Sequence, residues 1–352
     1  MRGNIIGILA VAGGYAAAVI GAGFASGQEI VSFFVRLGRF GIIGIAVACL
    51  FFSLFAAAIL SRCVSEGIYS FTGLLTSVVP NKVLRRAIEA VIFLCAMSTV
   101  CVMTSCAGEI GTQLYGVPQI MGAAAFSVIC GMVFLMETRS MMGTNSLLGA
   151  VIITGIVFTC LYILRYREHQ TMSLQLKSAL SGLTYAGYNV VGTGAVLAGM
   201  SRFLRSKREA AVAAMVSGMV LFIMITLIWV VLSIYYGKIN LGEIPMLTMA
   251  FRQGRVLGIF YGIMLAAAVI TTGISSGYAV IDMLRCKMTA KNATNLTLLV
   301  SFCMSGAGFS TLIDLLYRLC GYIGSVAAVY IAIKCFAHVK KEEKQRKLKN
   351  LL

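Results

Sequence analysis

The chain has 352 residues, of which 59% are hydrophobic and only 12% are charged. A soluble globular domain carries roughly 25% charged residues, so this composition excludes a soluble protein and predicts an all-α integral membrane protein. The net charge of +17 does not indicate nucleic-acid binding. The basic excess lies in short loops and a C-terminal tail, where membrane topology and anionic lipid account for it.

The eleven cysteines form no recognisable metal or disulfide pattern. Most lie inside apolar stretches, no C-x-x-C occurs, and the two histidines, His169 and His338, lie near loops. Thiols in buried helices behave as small hydrophobic groups. We therefore predict no metal site and no cofactor other than a coupling ion. We also expect no enzyme, because no catalytic Cys–His or Ser–His–Asp arrangement is available.

Apolar stretches of about 20 residues, the length needed to cross the hydrocarbon of a bilayer, recur along the chain. They predict ten membrane spans, at residues 5–35, 41–61, 87–112, 118–136, 143–164, 178–200, 210–235, 255–281, 293–309 and 312–335. Between them we expect an amphipathic loop over 66–86, a polar linker over 165–177 and a short surface helix within 240–252. One ten-helix domain over 1–339 and a basic tail over 340–352 follow.

Basic residues set the expected orientation, because they mark the cytoplasmic side of membrane proteins. If the N-terminus is inside, most of the basic residues fall in cytoplasmic segments: Arg2, Arg62, Lys82, Arg85, Arg86, Arg139, Arg202, Arg205, Lys207, Arg208, Arg285, Lys287, Lys291 and those of the tail. The sequence thus predicts a multi-pass protein of the cell membrane with both termini in the cytoplasm.

The first span contains an irregularity that a simple anchor would not carry. After the apolar residues 5–20 it continues as GAGFASGQE over residues 21–29, so glycines cluster and Glu29 follows. In hydrocarbon a helix opens only against protein or a watery cavity. A charged residue in a span costs about 2.5–3.5 kcal/mol on insertion scales and by default indicates a functional site. Span one is predicted to be a broken helix that lines a binding site.

Span six shows a similar cluster about half a chain later. Gly187, Gly192 and Gly194 lie among polar side chains, Tyr185, Tyr188, Asn189 and Thr193. Paired interruptions in two five-helix halves are typical of an inverted-repeat transporter. We therefore expect broken spans one and six in a 5+5 inverted repeat, with repeat one over about 1–164 and repeat two over about 175–337. The alternative is that the glycines only allow close helix crossings.

The segment G-A-G-F-A-S-G-Q-E in span one resembles the YkvI family of amino-acid permease-like proteins. That family is assigned to the amino acid–polyamine–organocation superfamily, with the LeuT-type fold. The resemblance covers essentially the whole chain. It implies a solute site between the unwound parts of spans one and six, where peptide groups meet a carboxylate. The residues implied in solute binding are Gly21, Ala22, Gly23, Tyr185, Gly187, Tyr188, Asn189 and Thr193.

The resemblance also implies a coupling-ion site between spans one and eight. A sodium ion would be bound by the carbonyl groups of Ala17 and Ile20 and by the hydroxyl groups of Ser275 and Ser276, because hard cations favour oxygen ligands. Serine hydroxyls also hydrogen-bond their own helix and need no ion. Proton coupling through a buried carboxyl group remains the alternative.

Four charged residues are candidates for gating or proton coupling. They are Glu29, Glu109, Asp314 and Arg318. Folds of this kind close the outer vestibule with an ion pair between helices one and ten, and a Glu29–Arg318 pair would serve that role. The simpler alternatives are an interfacial position for Glu109 and a pair between Asp314 and Arg318 within one helix.

These observations favour a secondary active transporter, in which a small solute, in first place an amino acid, moves with sodium or protons by alternating access. Its partners would be that solute and the lipid bilayer. Two alternatives stay open: a membrane sensor or assembly protein that retains the transporter fold, and a transporter of a nucleobase or polyamine.

Overall fold

The computed structural model describes residues 4–136, 144–165 and 178–349. Its α-helices are α1 Ile5–Val19, α2 Ala22–Ser26, α3 Gln28–Phe33, α4 Gly41–Glu66, α5 Phe71–Val78, α6 Lys82–Tyr115, α7 Gln119–Leu135, α8 Thr144–Leu164, α9 Ser178–Met200, α10 Lys207–Tyr235, α11 Pro245–Gln253, α12 Arg255–Leu284, α13 Ala290–Ser305, α14 Phe309–Leu312 and α15 Arg318–Lys349. Arg139 and His169 lie outside the described residues, as does nearly all of the predicted linker 165–177.

Every predicted span contains a helix, and the predicted all-α membrane fold is confirmed. Among the described residues, five helices are long and apolar enough to cross a membrane: Gly41–Glu66, Lys82–Tyr115, Lys207–Tyr235, Arg255–Leu284 and Phe309–His338. Shorter apolar helices accompany them, and span one is short because it is divided into α1, α2 and α3. Span ten begins with α14 and a π-helical turn, Ile313–Tyr317, before α15.

Spans one and six lie side by side in opposite directions. At one face of the bundle, the Asn4 amide donates a hydrogen bond of 2.7 Å to the Phe203 carbonyl, which joins the start of α1 to the end of α9. At the other face, the Ser181 hydroxyl donates a bond of 2.7 Å to the Phe33 carbonyl. This antiparallel placement is what two five-helix repeats of opposite orientation produce. We refer to the two ends as the Asn4 face and the Arg36 face, after Arg36 in the 3₁₀ turn Val35–Leu37.

The predicted break in span six is wrong, because α9 is one uninterrupted helix from Ser178 to Met200. Gly187 instead lies where α9 crosses α15. A methyl group on Gly187 would come within 2.5 Å of both the Gly321 carbonyl oxygen and the Ser325 amide nitrogen. Small residues of this kind let two membrane helices approach backbone to backbone. The glycine therefore serves helix packing, as the alternative from the sequence proposed.

This crossing predicts a stability difference between two glycines of the same helix. Gly187→Ala should destabilise the protein by about 1–3 kcal/mol, because the added methyl overpacks a close contact between backbones. Gly192→Ala is the matched control, since no atom would lie within 4 Å of its new methyl group. Thermal unfolding of the two purified variants measures the difference. Equal unfolding temperatures would contradict this account of Gly187.

The segment predicted as a surface helix is also different in the structure. In α11, Pro245, Met246, Leu247, Met249 and Ala250 are all buried. This helix packs against α12, α8, α2 and α3. Its apolar side chains therefore cover the interrupted first span at the side nearer to the Arg36 face.

Candidate functional site

Span one opens at Ile20 and Gly21, in the middle of a membrane crossing. The Ile20 amide still donates to Ala16, but the Gly21 amide turns back to the Val19 carbonyl at 2.9 Å. Ile20 has ψ 73° and Gly21 has an extended backbone, so neither continues the helix. The last carbonyls of one helix and the first amides of the next have no partner in their own helix. The break predicted from the glycine cluster is thus observed at Gly21.

A second interruption follows within two turns, at Gly27. Its φ of 80° lies in the left-handed region, which glycine adopts without steric cost. Any side chain there would also collide with Met246 of α11, whose Cγ would lie 2.7 Å from the added Cβ. Ser26 stabilises the turn, because its hydroxyl donates to the Gly23 carbonyl at 2.6 Å and accepts from the Gln28 amide at 3.1 Å.

Glu29 lies at this double break and is almost fully buried, with 4% of its surface exposed. Its carboxyl group folds back over Gly23, where a Cβ on that glycine would overlap the Glu29 Oε1 atom. The Glu29 Oε2 atom has no hydrogen-bond partner. The Tyr185 hydroxyl, which lies beside this carboxyl group, likewise has no partner of good geometry. The two groups therefore lie within reach of each other at the break without forming a well-aligned hydrogen bond.

Aromatic side chains surround these two groups. The Tyr185 ring contacts Phe34 and Phe33 at centroid distances of 5.1 and 5.4 Å. Next to them Tyr188 of α9 and Tyr317 of span ten stack at 3.8 Å. Both tyrosines are near enough to Glu29 to interact with it electrostatically. The walls around the carboxyl group are therefore aromatic and come from spans one, six and ten.

Three of the residues implied in solute binding do not point to the break. Asn189 donates to the Tyr185 carbonyl at 3.0 Å, and Thr193 donates to the Asn189 carbonyl at 3.2 Å, so both side chains are bonded to their own helix. The Thr193 hydroxyl group also lies beside Tyr15 of α1. Gly187 lies in the crossing with α15 described above. The structure brings together Gly23, Tyr185 and Tyr188 around Glu29, together with Tyr317, which the sequence analysis missed. Gly21 and Ala22 lie at the break itself.

The implied coupling-ion residues are only partly assembled. Ser275 is exposed and donates to the carbonyls of Thr271 and Thr272 at 2.8 and 3.1 Å, so it does not face the break. Ser276 is half-buried on the same helix, whereas Ala17 contacts the α8 helix near Gly149. Thr272 is the hydroxyl residue of α12 that faces the break, since its Oγ1 would lie 3.7 Å from a Cβ on Gly21. One helical turn separates the predicted serines from this position.

The ion pair between the first and last spans forms from different residues than expected. Arg36 Nη1 lies 2.7 Å from Asp314 Oδ2, and the Ser32 hydroxyl also donates to Asp314. Arg318 donates to the Ser32 carbonyl at 2.7 Å and lies 3.6 Å from Asp314. The predicted Glu29–Arg318 pair is therefore wrong, because Arg318 is held by Ser32 and Asp314 at the Arg36 face. The signal for the correct pair was Arg36, the first basic residue after span one.

Glu109 lies near the Arg36 face and is half-buried in α6. Its carboxyl group interacts electrostatically with that of Glu243. Glu243 accepts hydrogen bonds from the amide and the hydroxyl of Ser310, at 2.6 and 2.9 Å, and thereby caps the start of α14. Glu109 thus interacts with Glu243, and both Glu109 and Glu29 lie near the Cys106 thiol of α6.

Comparison with known proteins agrees with the resemblance predicted from the sequence. No family model matches the chain. The chain is 24% identical over 321 residues to the uncharacterised membrane protein YkvI of Bacillus subtilis (strain 168), across 88% of this chain and 90% of that protein. It is 25% identical over 315 residues to the protein YyaD of the same strain, across 87% and 90% of the two chains. The resemblance to YkvI is confirmed.

Solved structures of transporters share the fold. The inward-facing conformation of Mhp1 aligns with a TM-score of 0.58 at 15% identity, across 94% of this chain and 76% of Mhp1. A Na⁺-coupled sialic acid symporter in a substrate-bound outward-open state aligns with a TM-score of 0.59 at 14% identity, across 94% of this chain and 78% of the symporter. MhsT in complex with L-phenylalanine aligns with a TM-score of 0.59 at 14% identity, across 91% of this chain and 87% of MhsT. At these identities the likeness shows the fold, which is the predicted LeuT-type fold.

Proposed function

We propose that this multi-pass membrane protein, similar to YkvI and built on the LeuT-type fold, is a secondary active transporter of a small zwitterion such as an amino acid. The observation that carries the proposal is the opening of span one at Gly21 beside the buried carboxyl group of Glu29. Unsatisfied peptide groups and a carboxylate are costly inside a bilayer. A polar solute that binds there offsets this cost.

Alternating access requires that the two faces open in turn around a fixed site. The Arg36–Asp314 pair supports this mechanism, because it joins the first span to the last one at a single face. Breaking that contact would separate the two spans and open a path from the Arg36 face to Glu29. The aromatic residues Tyr185, Tyr188 and Tyr317 would separate the site from the path that leads to the Asn4 face.

Movement against a gradient requires a coupling ion, for which we propose sodium or a proton. Sodium would be bound by oxygen atoms, in keeping with the ligands that hard cations prefer. The carbonyl groups at the end of α1, Ala17 and Ile20 among them, and the Thr272 hydroxyl supply such oxygens near Gly21. A proton would instead be carried by Glu29, the buried acid at the break.

The two ions predict different behaviour of two hydroxyl residues of α12. If sodium is coupled, Thr272→Val should raise the sodium concentration needed for half-maximal uptake by about tenfold or more, a loss of about 1.4 kcal/mol from one oxygen ligand. Ser275→Ala is the matched control, because the Ser275 hydroxyl bonds its own helix. Initial uptake rates over a sodium titration measure both. If Ser275→Ala has the larger effect, Thr272 is not the ligand.

We also propose that the protein lies in the cell membrane with both termini in the cytoplasm. The basic residues of the Asn4 face support this orientation under the positive-inside rule. They include Arg62, Arg202 and Arg205, near the ends of α4 and α9. The Arg36–Asp314 pair would then close the external path.

Uptake by the purified full-length protein in proteoliposomes tests the proposed function. The probes are radiolabelled L-amino acids, offered as a mixed panel with an imposed inward sodium gradient, an inward proton gradient, or neither. We expect uptake of at least one amino acid that depends on one of the two gradients. If no amino acid enters under any gradient, and the basic tail captures a protein partner, the sensor or assembly alternative is favoured instead.

A further inference from the structure

The Glu29 carboxyl group has no counter-charge within the described part of the chain, although it lies at the break in span one. From this placement we infer that Glu29 binds the protonated amino group of the transported solute. This inference rests on the proposed function and names the chemical class of its solute. The protein should select molecules that carry a protonated amine and should discriminate against carboxylic acids or nucleobases that lack one.

The burial of Glu29 is the first observation that supports an ammonium site. A buried ionised carboxylate is costly unless a hydrogen-bonded partner of opposite charge accompanies it. Glu29 is 4% exposed, and its Oε2 atom accepts no hydrogen bond. The nearby Tyr185 hydroxyl is also without a partner of good geometry. A protonated amine with two or three N–H donors would satisfy both oxygen atoms at once.

Two basic residues of the first and last spans, Arg36 and Arg318, already bind other groups. Arg36 binds Asp314 at 2.7 Å. Arg318 donates to the Ser32 carbonyl at 2.7 Å and lies over the Phe33 ring, 5.2 Å from its centroid. Both guanidinium groups are thus directed to the Arg36 face. Neither guanidinium group is thus available to an ionised Glu29, which takes its counter-charge from a bound cation and is otherwise neutralised by a proton.

The Glu29 carboxyl group lies directly over Gly23. A Cβ on this glycine would overlap the Glu29 Oε1 atom, so the carboxyl group would have to leave its present position if residue 23 had a side chain. Gly23 belongs to the first turn of α2, whose first amides have no acceptor within their own helix. A zwitterion would therefore meet hydrogen-bonding peptide groups and a carboxylate at neighbouring positions, which suits a carboxyl group and an ammonium group attached to one carbon atom.

Aromatic side chains form the walls around the Glu29 carboxyl group. Cations are attracted to the faces of aromatic rings within about 6 Å, and this attraction strengthens when water is excluded. Tyr185, Tyr188 and Tyr317 are buried and close to Glu29. A protonated amine is favoured by such walls, whereas a carboxylate is not. The aromatic residues and Glu29 therefore select for the same charge.

The experiment uses the purified full-length protein and three probe series. These are the L-amino acids that are taken up, the amines obtained by removing their carboxyl group, and the acids obtained by removing their amino group. Competition with uptake of the parent amino acid measures the affinity for each. For the wild-type protein we expect the amine to compete about tenfold or more better than the matched des-amino acid, as for a buried charge pair.

Three variants complete the design. Glu29→Gln keeps the shape of the side chain and removes its charge, so the preference for amine over des-amino acid should fall by about tenfold. Glu29→Asp keeps the charge and should retain the preference with weaker affinity, which covers the case that the glutamine variant fails to insert. Glu109→Gln is the matched control, since Glu109 is a half-buried acid of the neighbouring α6 that interacts with Glu243.

The outcomes distinguish this inference from the proposed function. If wild-type protein takes up no amino acid, the proposed transport of amino acids is excluded, and the ammonium site with it. If it takes up amino acids and Glu29→Gln keeps the wild-type preference for amines, only the ammonium site is excluded. If Glu29→Gln keeps that preference but loses its sodium or pH dependence, Glu29 serves the coupling ion and our inference is wrong.

Discussion

Replacement of Gly23 by leucine is expected to abolish solute uptake while the protein still inserts into the membrane. A side chain at this position would occupy the place of the Glu29 carboxyl group, because even the first carbon atom would overlap Glu29 Oε1. Forcing extra atoms into a packed site costs about 1–3 kcal/mol, which corresponds to about five- to 150-fold in binding. Uptake of the amino-acid panel by proteoliposomes that contain the variant measures the effect.

Gly13→Leu is the matched control for this prediction. Gly13 lies in α1 of the same span, is exposed, and would have no atom within 4 Å of an added Cβ. Its leucine variant should therefore transport normally. Gly21→Ala should also be milder than a change at Gly23, since its methyl group would meet Thr272 only at an ordinary contact distance of 3.7 Å. Normal uptake by Gly23→Leu would exclude a solute site at this break.

Replacement of Asp314 by alanine is expected to lower the uptake rate by about tenfold, the effect of about 1.4 kcal/mol lost from the closed state. Asp314 holds Arg36, Arg318 and the Ser32 hydroxyl together. Without it, two guanidinium groups face each other between the first and last spans. The state that is closed at the Arg36 face should become less populated, because closure would then bring like charges together. Initial uptake rates at saturating solute measure this effect.

Two further variants make the Asp314 experiment specific. Asp282→Ala removes an acid of α12 that pairs with Arg285 one turn further along the same helix, 3.7 Å away, and it should leave uptake unchanged. Arg36→Ala combined with Asp314→Ala completes a double-mutant cycle, in which the double variant should lose less than the sum of the two single losses. Strictly additive losses would show that the two side chains do not act as a pair.

Much of the fold follows from local patterns in the sequence. The ten apolar stretches predict the spans because hydrocarbon thickness sets the length of a crossing helix. The cluster of glycines at residues 21–27 predicts the break because glycine weakens a helix wherever it occurs. The charge of Glu29 within a span marks a functional position for the same local reason. None of these conclusions requires knowledge of a neighbouring helix.

The errors share one cause, which is that each depended on a partner distant in the chain. The glycine cluster of span six looks like that of span one, yet Gly187 faces the backbone of α15 and leaves α9 intact. Ser275 and Thr272 lie within one turn of each other, and only the rotation of α12 decides that Thr272 faces Gly21. A sequence shows which residues are small or polar, but it does not show which way a helix is turned.

The sequence by itself determined that this is a ten-span membrane protein, that span one is broken, and that Glu29 is buried in it, because hydrophobicity, glycine content and charge act locally along the chain. Only the tertiary structure decided that Arg36, not Glu29, pairs with span ten, and that the Glu29 carboxyl group has no counter-charge among the described residues. Ion pairs form between atoms a few ångströms apart, and helix packing brings Arg36 and Asp314 to 2.7 Å although most of the chain separates them.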